Sequence, residues 1–339
     1  FAIQNKIEDL GRYGAKNDGT FVDGAWQDVS FGGKPYAVPM DYGPTVMFYN
    51  QDTLAKAGVA EAPKTWDEFY EAAKKVHALG DNYHIINDAG DIFTMLSLIW
   101  QAGGRPFTVD GTKITVNVKD EGTKRAVGMW QRMIDEGLIA TDIMTWSDDW
   151  NRELNDGTLA SLTIGAWMPI NLMTGAPDQA GNWRAAMLPQ WNAGDEVSSE
   201  DGGSAWAIAK QSKNQDAAWK WIEFVTYGDG AQLSADTGTF SALKSILNSD
   251  SFTDPTTEAN KKTNDYFGGQ NVNKILAEAA QRPTEKFQYL PYNPYAQTAY
   301  GDEVSKAYSG DITLEKALEN YANKLAEQGK QQGYNVTVK

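Results

Sequence analysis

Short β-type runs alternate with amphipathic helices along this chain, which predicts an α/β fold. At 339 residues the chain is too long for one ordinary compact domain, so two lobes with substantial cores are expected. Apolar residues make up 41% and charged residues 22%, the balance of a chain that folds throughout rather than of a disordered one.

The β-type runs are Tyr36 to Met40, Thr45 to Asn50, Ile114 to Val118, Ala160 to Ile164, Ala185 to Leu188 and Ala205 to Ala209. Thr65-Trp66-Asp67-Glu68 has the spacing of a capping box, in which Thr65 bonds the amide three residues on and Glu68 reaches back to the cap. Phe69, Ala72, Ala73, Val76 and Leu79 follow at helical intervals until Gly80 stops the helix. A second stripe, Ala126, Trp130, Met133 and Ile134, ends at Gly137; a third, Ala218, Trp221, Ile222 and Val225, ends at Gly228. A fourth runs through Leu314, Ala317, Leu318, Tyr321 and Leu325. At such spacing Trp66, Trp130, Trp219 and Trp221 read as core. Strands that alternate with helices of this length predict mainly parallel sheets, and the Gly- and Asp-rich stretch from Asn192 to Gly203 reads as surface loop or a crossing between lobes.

Composition narrows the chemistry. Forty-five acidic residues against 30 basic ones leave a net charge of -15, which repels a phosphate backbone, so no nucleic-acid partner is expected and a neutral ligand fits best. With no cysteine, neither a disulfide, a thiol nucleophile nor a Cys-ligated zinc enters the mechanism. The only histidines, His77 and His84, have no carboxylate or further histidine at ligand spacing, so no metal and no cofactor is expected. The longest apolar stretches, such as Met95 to Trp100, fall far short of the roughly 20 residues that cross a bilayer. The chain opens at Phe1 without an initiator methionine or signal peptide and reads as a segment of a longer precursor.

From Gly33-Lys34-Pro35-Tyr36-Ala37-Val38-Pro39 onward the sequence resembles the extracellular solute-binding proteins of carbohydrate ABC transporters, the family that includes maltose-binding protein. Tyr49-Asn50, Leu54, Gly58 and Pro63-Lys64-Thr65-Trp66-Asp67-Glu68 match its YN…L…AG…PPTWDE signature. Trp100-Gln101-Ala102-Gly103-Gly104 matches its GG turn, and Asn155-Asp156-Gly157-Thr158 with Ile164-Gly165-Ala166-Trp167 matches FxxGxxAMxxxGxW. Gly202-Gly203 with Ile208 and Ser212-Lys213-Asn214 matches GGxxxxIxxxSKN. Two features depart from the pattern: members usually have two further β-α units before the segment matching Phe1, and often a proline where Ser241 stands. The resemblance implies a type II periplasmic-binding-protein-like fold, two α/β lobes joined by crossing segments, with a hinge and ligand in the interlobe cleft. It places residues 1–43 and 190–245 in an N-terminal lobe whose first units are missing, and residues 44–189 and 246–339 in a C-terminal lobe. It also implies an extracytoplasmic monomer, periplasmic or lipid-anchored at the cell surface, which delivers its ligand to ABC permease subunits.

A neutral sugar presents hydroxyls to be hydrogen-bonded and C–H faces to be covered, so polar and aromatic residues together at strand ends are the informative ones. Asp41 and Tyr42 fall at the family's first crossing; Asp41 has the alternative of bonding its own turn. Counting back from Gly103-Gly104 places Asp91 and Phe93 at polar and aromatic ligand positions of the family, with helix capping the alternative for Asp91. Trp167 falls on the family's GxW tryptophan, which stacks on sugar, with core packing as its alternative. Gly203 and Trp206 fall at the second crossing, where strand alternation equally turns Trp206 into a sheet core. Tyr292, Asn293 and Tyr295 form a Pro-bounded loop at the third crossing or beside it, and are ligand contacts or a structural turn. The expected function is binding of a neutral oligosaccharide without catalysis. Two rivals stay open: a glycoside hydrolase, because carboxylates and tryptophans also describe a sugar-cleaving cleft, and a binder of peptides or polyamines, because acidic residues also suit cations.

Overall fold

The computed structural model describes residues 1–282 and 287–339, with strands and helices alternating along the chain. The organising element is the strand Thr45–Asn50, flanked by the strands Trp183–Met187 and Ser161–Gly165, both antiparallel to it. All six of its residues are buried. Successive side chains of a strand point to opposite faces, and here each face meets a different core. Met47 and Tyr49 join a cluster with Trp66, Phe69, Trp100, Trp130 and Tyr321. Val46 and Phe48 join a second cluster, in which Leu10, Phe21 and Val38 pack with Trp150, Trp183 and Phe267.

The sheets are not mainly parallel as the alternation of elements predicts. Antiparallel pairing also joins Phe107–Asp110 to Lys113–Val116, whereas Ile86–Asn87 pairs in parallel with Ile139–Ala140, and Asn335–Val338 with Lys113–Val116. Parallel order needs each strand to return to its sheet through a crossover of fixed hand. Thr45–Asn50 instead enters its sheet directly from a crossing segment, and a two-residue turn at Gly111 folds the hairpin.

The capping box forms with one change. Thr65 Oγ1 accepts from the Glu68 amide at 3.2 Å, but the Glu68 carboxylate accepts from the Lys64 amide at 2.7 Å, one residue before the cap. The helix Trp66–His77 buries Phe69, Ala72, Ala73 and Val76 as the stripe predicts. In the helix Gln215–Thr226 the reading of Trp221 as core is corrected: its buried face carries Ile222 and Thr226, and Trp221, one position round the helix, is 53% exposed. Trp219 is half-buried and stacks on Tyr13.

Three stretches of backbone cross side by side. The Met40 amide donates to the Ser204 carbonyl (2.9 Å), the Asp201 amide to Gly43 (2.8 Å) and the Tyr42 amide to Phe240 (3.2 Å). Ser241, where the resemblance anticipates a proline, bridges to Asp41 and accepts the Leu243 amide on its hydroxyl at 3.1 Å, so a side-chain oxygen shapes this turn. Residues 190–199, expected in the N-terminal lobe, bond to the stretch that follows residue 44. The Gln190 amide donates to Lys64 at 2.9 Å and the Ser199 hydroxyl to the Ser97 carbonyl at 2.7 Å. Their polar groups thus find partners in that stretch, as buried backbone must, and the bonds to residues 40–43 are made by 201–204.

The GG turn has a packing reason. Gly104 lies against the helix Glu121–Asp135 at Gly122, where an added Cβ would sit 2.6 Å from Gly104 Cα and 2.7 Å from the Ala102 carbonyl. Helix propensity favours alanine over glycine by about 1 kcal/mol. The contact opposes it, since overpacking a tight site costs ~1–3 kcal/mol. Gly122→Ala is expected to lower the melting temperature in a thermal scan, and a rise would show that propensity outweighs the contact.

Candidate ligand-binding site

A cavity of about 220 Å³ opens beside the crossing segments. Its walls come from both sides of the crossing: Asp28 from the helix Asp23–Asp28, Asp41, Tyr42 and Gly203 from the crossing itself, and Phe93, Tyr289 and Asn293 from the stretch beyond. Five of the residues singled out in the sequence, Asp41, Tyr42, Phe93, Gly203 and Asn293, thus meet here. A larger opening of about 600 Å³ adjoins Tyr42 and is lined by Asp23, Gln27, Lys244 and Arg282 among others. The smaller cavity is the candidate, because aromatic rings and hydrogen-bonding groups converge on it as a ligand with both polar and apolar faces requires.

Local structure fixes each group. Asp41 accepts the Ser204 amide on one carboxylate oxygen, and burial holds its pKa above the ordinary value. Phe93 stands in the first turn of the helix Ile92–Gln101, which Asp91 caps by accepting the Phe93 amide at 2.9 Å. The capping alternative therefore holds for Asp91, which supports Phe93 without lining the cavity. Tyr289 packs edge-on against Phe93 (6.4 Å between centroids) and Trp100 (5.5 Å), and burial pushes its hydroxyl pKa well up. The side-chain oxygen of Asn293 is buried with no hydrogen-bond partner among the described residues.

Trp167 lies against the same crossing. It is half-buried, and its indole N–H donates to the Asp201 carbonyl at 3.0 Å. Gly43 permits this approach: a Cβ there would stand 2.7 Å from the Trp167 Nε1 and 2.8 Å from the Gly202 carbonyl. Trp167 is not among the cavity-lining residues; it belongs instead to a wall of indoles, 5.7 Å from Trp146 at 31°.

Two expectations are corrected. Tyr292 is core: it is 3% exposed and its hydroxyl donates to the Leu325 carbonyl at 3.0 Å. The Pro-bounded turn makes it the residue before the helix Asn293–Tyr308, directed at the helix Leu314–Gln331, while Tyr295 sits on the exposed side. Trp206 pairs with Val38 and follows Ala205, a cavity residue. Strand alternation sends Trp206 the other way, where it is 39% exposed and meets Trp221 edge-on.

Sequence reasoning missed Asp28, Glu200, Asp201 and Tyr289. Tyr289 lies three residues before the aromatic loop that was singled out, so the signal was present and read one step late. Asp28 ends a short helix that no motif marks, and Glu200 and Asp201 lie within a stretch read as loop or crossing. Glu200 is fully buried against Asp28 and Tyr42; desolvation first, then Asp28, raises its pKa well above normal. Burial, reinforced by the charge of Asp91, lifts Asp201 to about 7. The two histidines, unaccompanied in sequence, meet at 5.8 Å between ring centroids. Among the described residues no group of three or more histidines and carboxylates is arranged to hold a metal ion.

The raised acids set a sign for pH dependence. An acid with a higher pKa folded than unfolded holds an extra proton in the folded state between the two values, so its contribution to stability is lost as pH rises through that window. For Asp201 the window runs from the ordinary carboxylate value of 3.8 to about 7. At about 1.4 kcal/mol per unit, a window of roughly three units amounts to ~4 kcal/mol. The fall in melting temperature from pH 5 to pH 8 is expected to be smaller in Asp201→Asn than in the unaltered protein, and equal falls in calorimetry would contradict the assignment.

Comparison with known proteins agrees with this architecture. The family model described as bacterial extracellular solute-binding protein matches residues 1–231. The lactose-binding protein of Rhizobium radiobacter is 31% identical over 255 residues, 73% of this chain and 57% of its own length. The arabinooligosaccharide-binding protein of Bacillus subtilis (strain 168) is 30% identical over 220 residues, 64% of this chain and 50% of its own length. The chain thus spans about half the length of these relatives. Among solved structures, the ABC transporter associated binding protein from B. animalis subsp. lactis Bl-04, in complex with β-1,6-galactobiose, superposes with a TM-score of 0.92. It is 41% identical, and the match covers 99% of this chain and 83% of that one. The two-lobed α/β fold is therefore shared, and the chain belongs to the bacterial extracellular solute-binding proteins.

Proposed function

We propose that the protein binds a neutral oligosaccharide between its lobes and delivers it, chemically unchanged, to the permease of an ABC importer. The observation that carries this reading is the cavity at the crossing, where acceptors of sugar hydroxyls stand beside rings able to cover C–H faces. The Asn293 oxygen, buried without a partner among the described residues, is suited to a ligand hydroxyl, since an unmet buried acceptor costs ~1–3 kcal/mol until something bonds it. The proteins similar to this chain bind lactose, arabinooligosaccharides and β-1,6-galactobiose by their names, which makes β-galactosyl disaccharides the first ligands to test.

Walls drawn from both sides of the crossing give a bound sugar more contacts when the lobes close, and that difference in affinity drives closure. The lobes in this reading are residues 1–43 with 200–245, and 44–199 with 246–339. The protein acts as a monomer outside the cytoplasm, in the periplasm or on a lipid anchor. No described helix is long and apolar enough to cross a membrane.

Titration calorimetry with β-1,6-galactobiose, lactose and arabinobiose is expected to show saturable binding, with a smaller radius of gyration in small-angle scattering and the sugar recovered intact. Binding of spermidine in place of every sugar would favour the polyamine alternative, and release of new reducing ends would revive the hydrolase.

Trp167, on the wall of indoles beside the cavity rather than in its lining, is the stacking platform in this reading. Loss of a central aromatic anchor costs ~2–4 kcal/mol of binding. Trp167→Ala is therefore expected to weaken sugar binding well over tenfold with a nearly unchanged melting temperature. A ring needed by the core would give the opposite pattern, intact affinity and a loss of ~3–5 kcal/mol of stability.

A further inference from the structure

Trp146 carries two unfavourable features at one residue. Its φ is 71°, in the left-handed region that bulky residues avoid at a cost of ~1–2 kcal/mol, and its indole is 53% exposed. The loop around it is firmly held. Buried Asn87 donates to the Ile143 carbonyl and to Thr145 Oγ1, both at 3.0 Å, and accepts the Trp150 indole N–H at 3.0 Å. On the other side Ser147 caps the helix Asp148–Asp156, its hydroxyl accepting the Trp150 amide at 3.1 Å. Backbone strain that neighbouring bonds enforce around an exposed side chain is characteristic of a contact made for a ligand.

The rings show where that contact lies. Trp146, exposed, touches both the buried Trp150 and the half-buried Trp167, with centroid distances of 5.0 Å and 5.7 Å respectively. The planes are tilted by 57° against Trp150 and by 31° against Trp167, and 53% of Trp146 stays open to solvent. Trp167 touches the crossing through Asp201, and Trp146 stands one ring further out.

We propose that Trp146 is an outer sugar platform, stacking on a unit of the oligosaccharide beyond the one that Trp167 covers. This rests on the sugar-binding reading and adds chain-length preference to it: a third sugar unit gains affinity from Trp146, and a disaccharide does not.

The test uses the full chain and titration calorimetry with β-1,6-galactobiose and β-1,6-galactotriose. Trp146→Gly removes the ring and relieves the strained φ; Trp146→Phe retains an aromatic face. The glycine variant is expected to bind the trisaccharide at least tenfold more weakly, to bind the disaccharide within threefold of the unaltered protein, and to melt no lower. The phenylalanine variant is expected to recover most of the trisaccharide affinity. Equal losses for both sugars, no loss for either, or a lowered melting temperature with unchanged length preference would each overturn the outer platform, as would an unaltered protein that takes the disaccharide alone. An unaltered protein that binds neither sugar would overturn the sugar-binding reading itself and this inference with it.

Discussion

The constraint on which the crossing depends is the absence of a side chain at Gly43. Three backbone stretches meet around it, and the carbonyls of Asp201 and Gly202 together with the Trp167 indole occupy the space that any Cβ would need. A larger residue would push the crossing strands apart, and with them the hydrogen bonds that hold 40–44 against 200–204. The crossing residues that line the cavity are placed by that contact. Asp41 and Tyr42 precede Gly43 directly, Gly203 lies on the partner stretch, and the strand Thr45–Asn50 begins two residues later.

The same crowding accounts for the buried acids. Glu200 and Asp201 sit where the crossing is most enclosed, and Asp28 and Asp91 approach it from opposite sides. Desolvation is the largest influence on Asp28, Asp91, Glu200 and Asp201, and only hydrogen bonds oppose it. Such an arrangement stabilises nothing by itself. Its presence between two bodies of the chain is understandable if the groups serve binding, since folding alone is better served by apolar residues there.

How much was legible depended on whether a residue's role was local. The start of the helix Trp66–His77 was readable because its cap and apolar spacing lie within one short string, although the Glu68 carboxylate chose the Lys64 amide over the cap and the helix ends two residues before Leu79, where the stripe was expected to stop. Asp41, Phe93 and Asn293 were found through positional resemblance, and the cavity joins them across more than 250 residues of sequence. Tyr292 and Trp206 failed for one shared reason. Each is adjacent to true cavity residues, and the rotation of a helix entry or the alternation of a strand turned it away. Sheet direction was illegible because it depends on which strands meet after long excursions, which periodicity does not encode.

The tryptophans show how a fold separates rings it needs from rings it does not. Trp66, Trp130 and Trp150 are all but fully buried, and each indole N–H has a partner, in Gln101, Asp88 and Asn87 respectively. A buried indole without such a bond would forfeit much of what its area contributes. Trp183 differs, buried with its N–H unmet among the described residues, and apolar packing beside Phe48 and Phe267 must carry it. Trp146 stands at the opposite extreme, since its ring is largely in water and its backbone is strained. Burial does not account for that ring, and the bonds that Asn87 and Ser147 make around it hold it where folding gains little. A residue positioned so firmly at a net cost to the free protein is explained by what it meets when the site is filled.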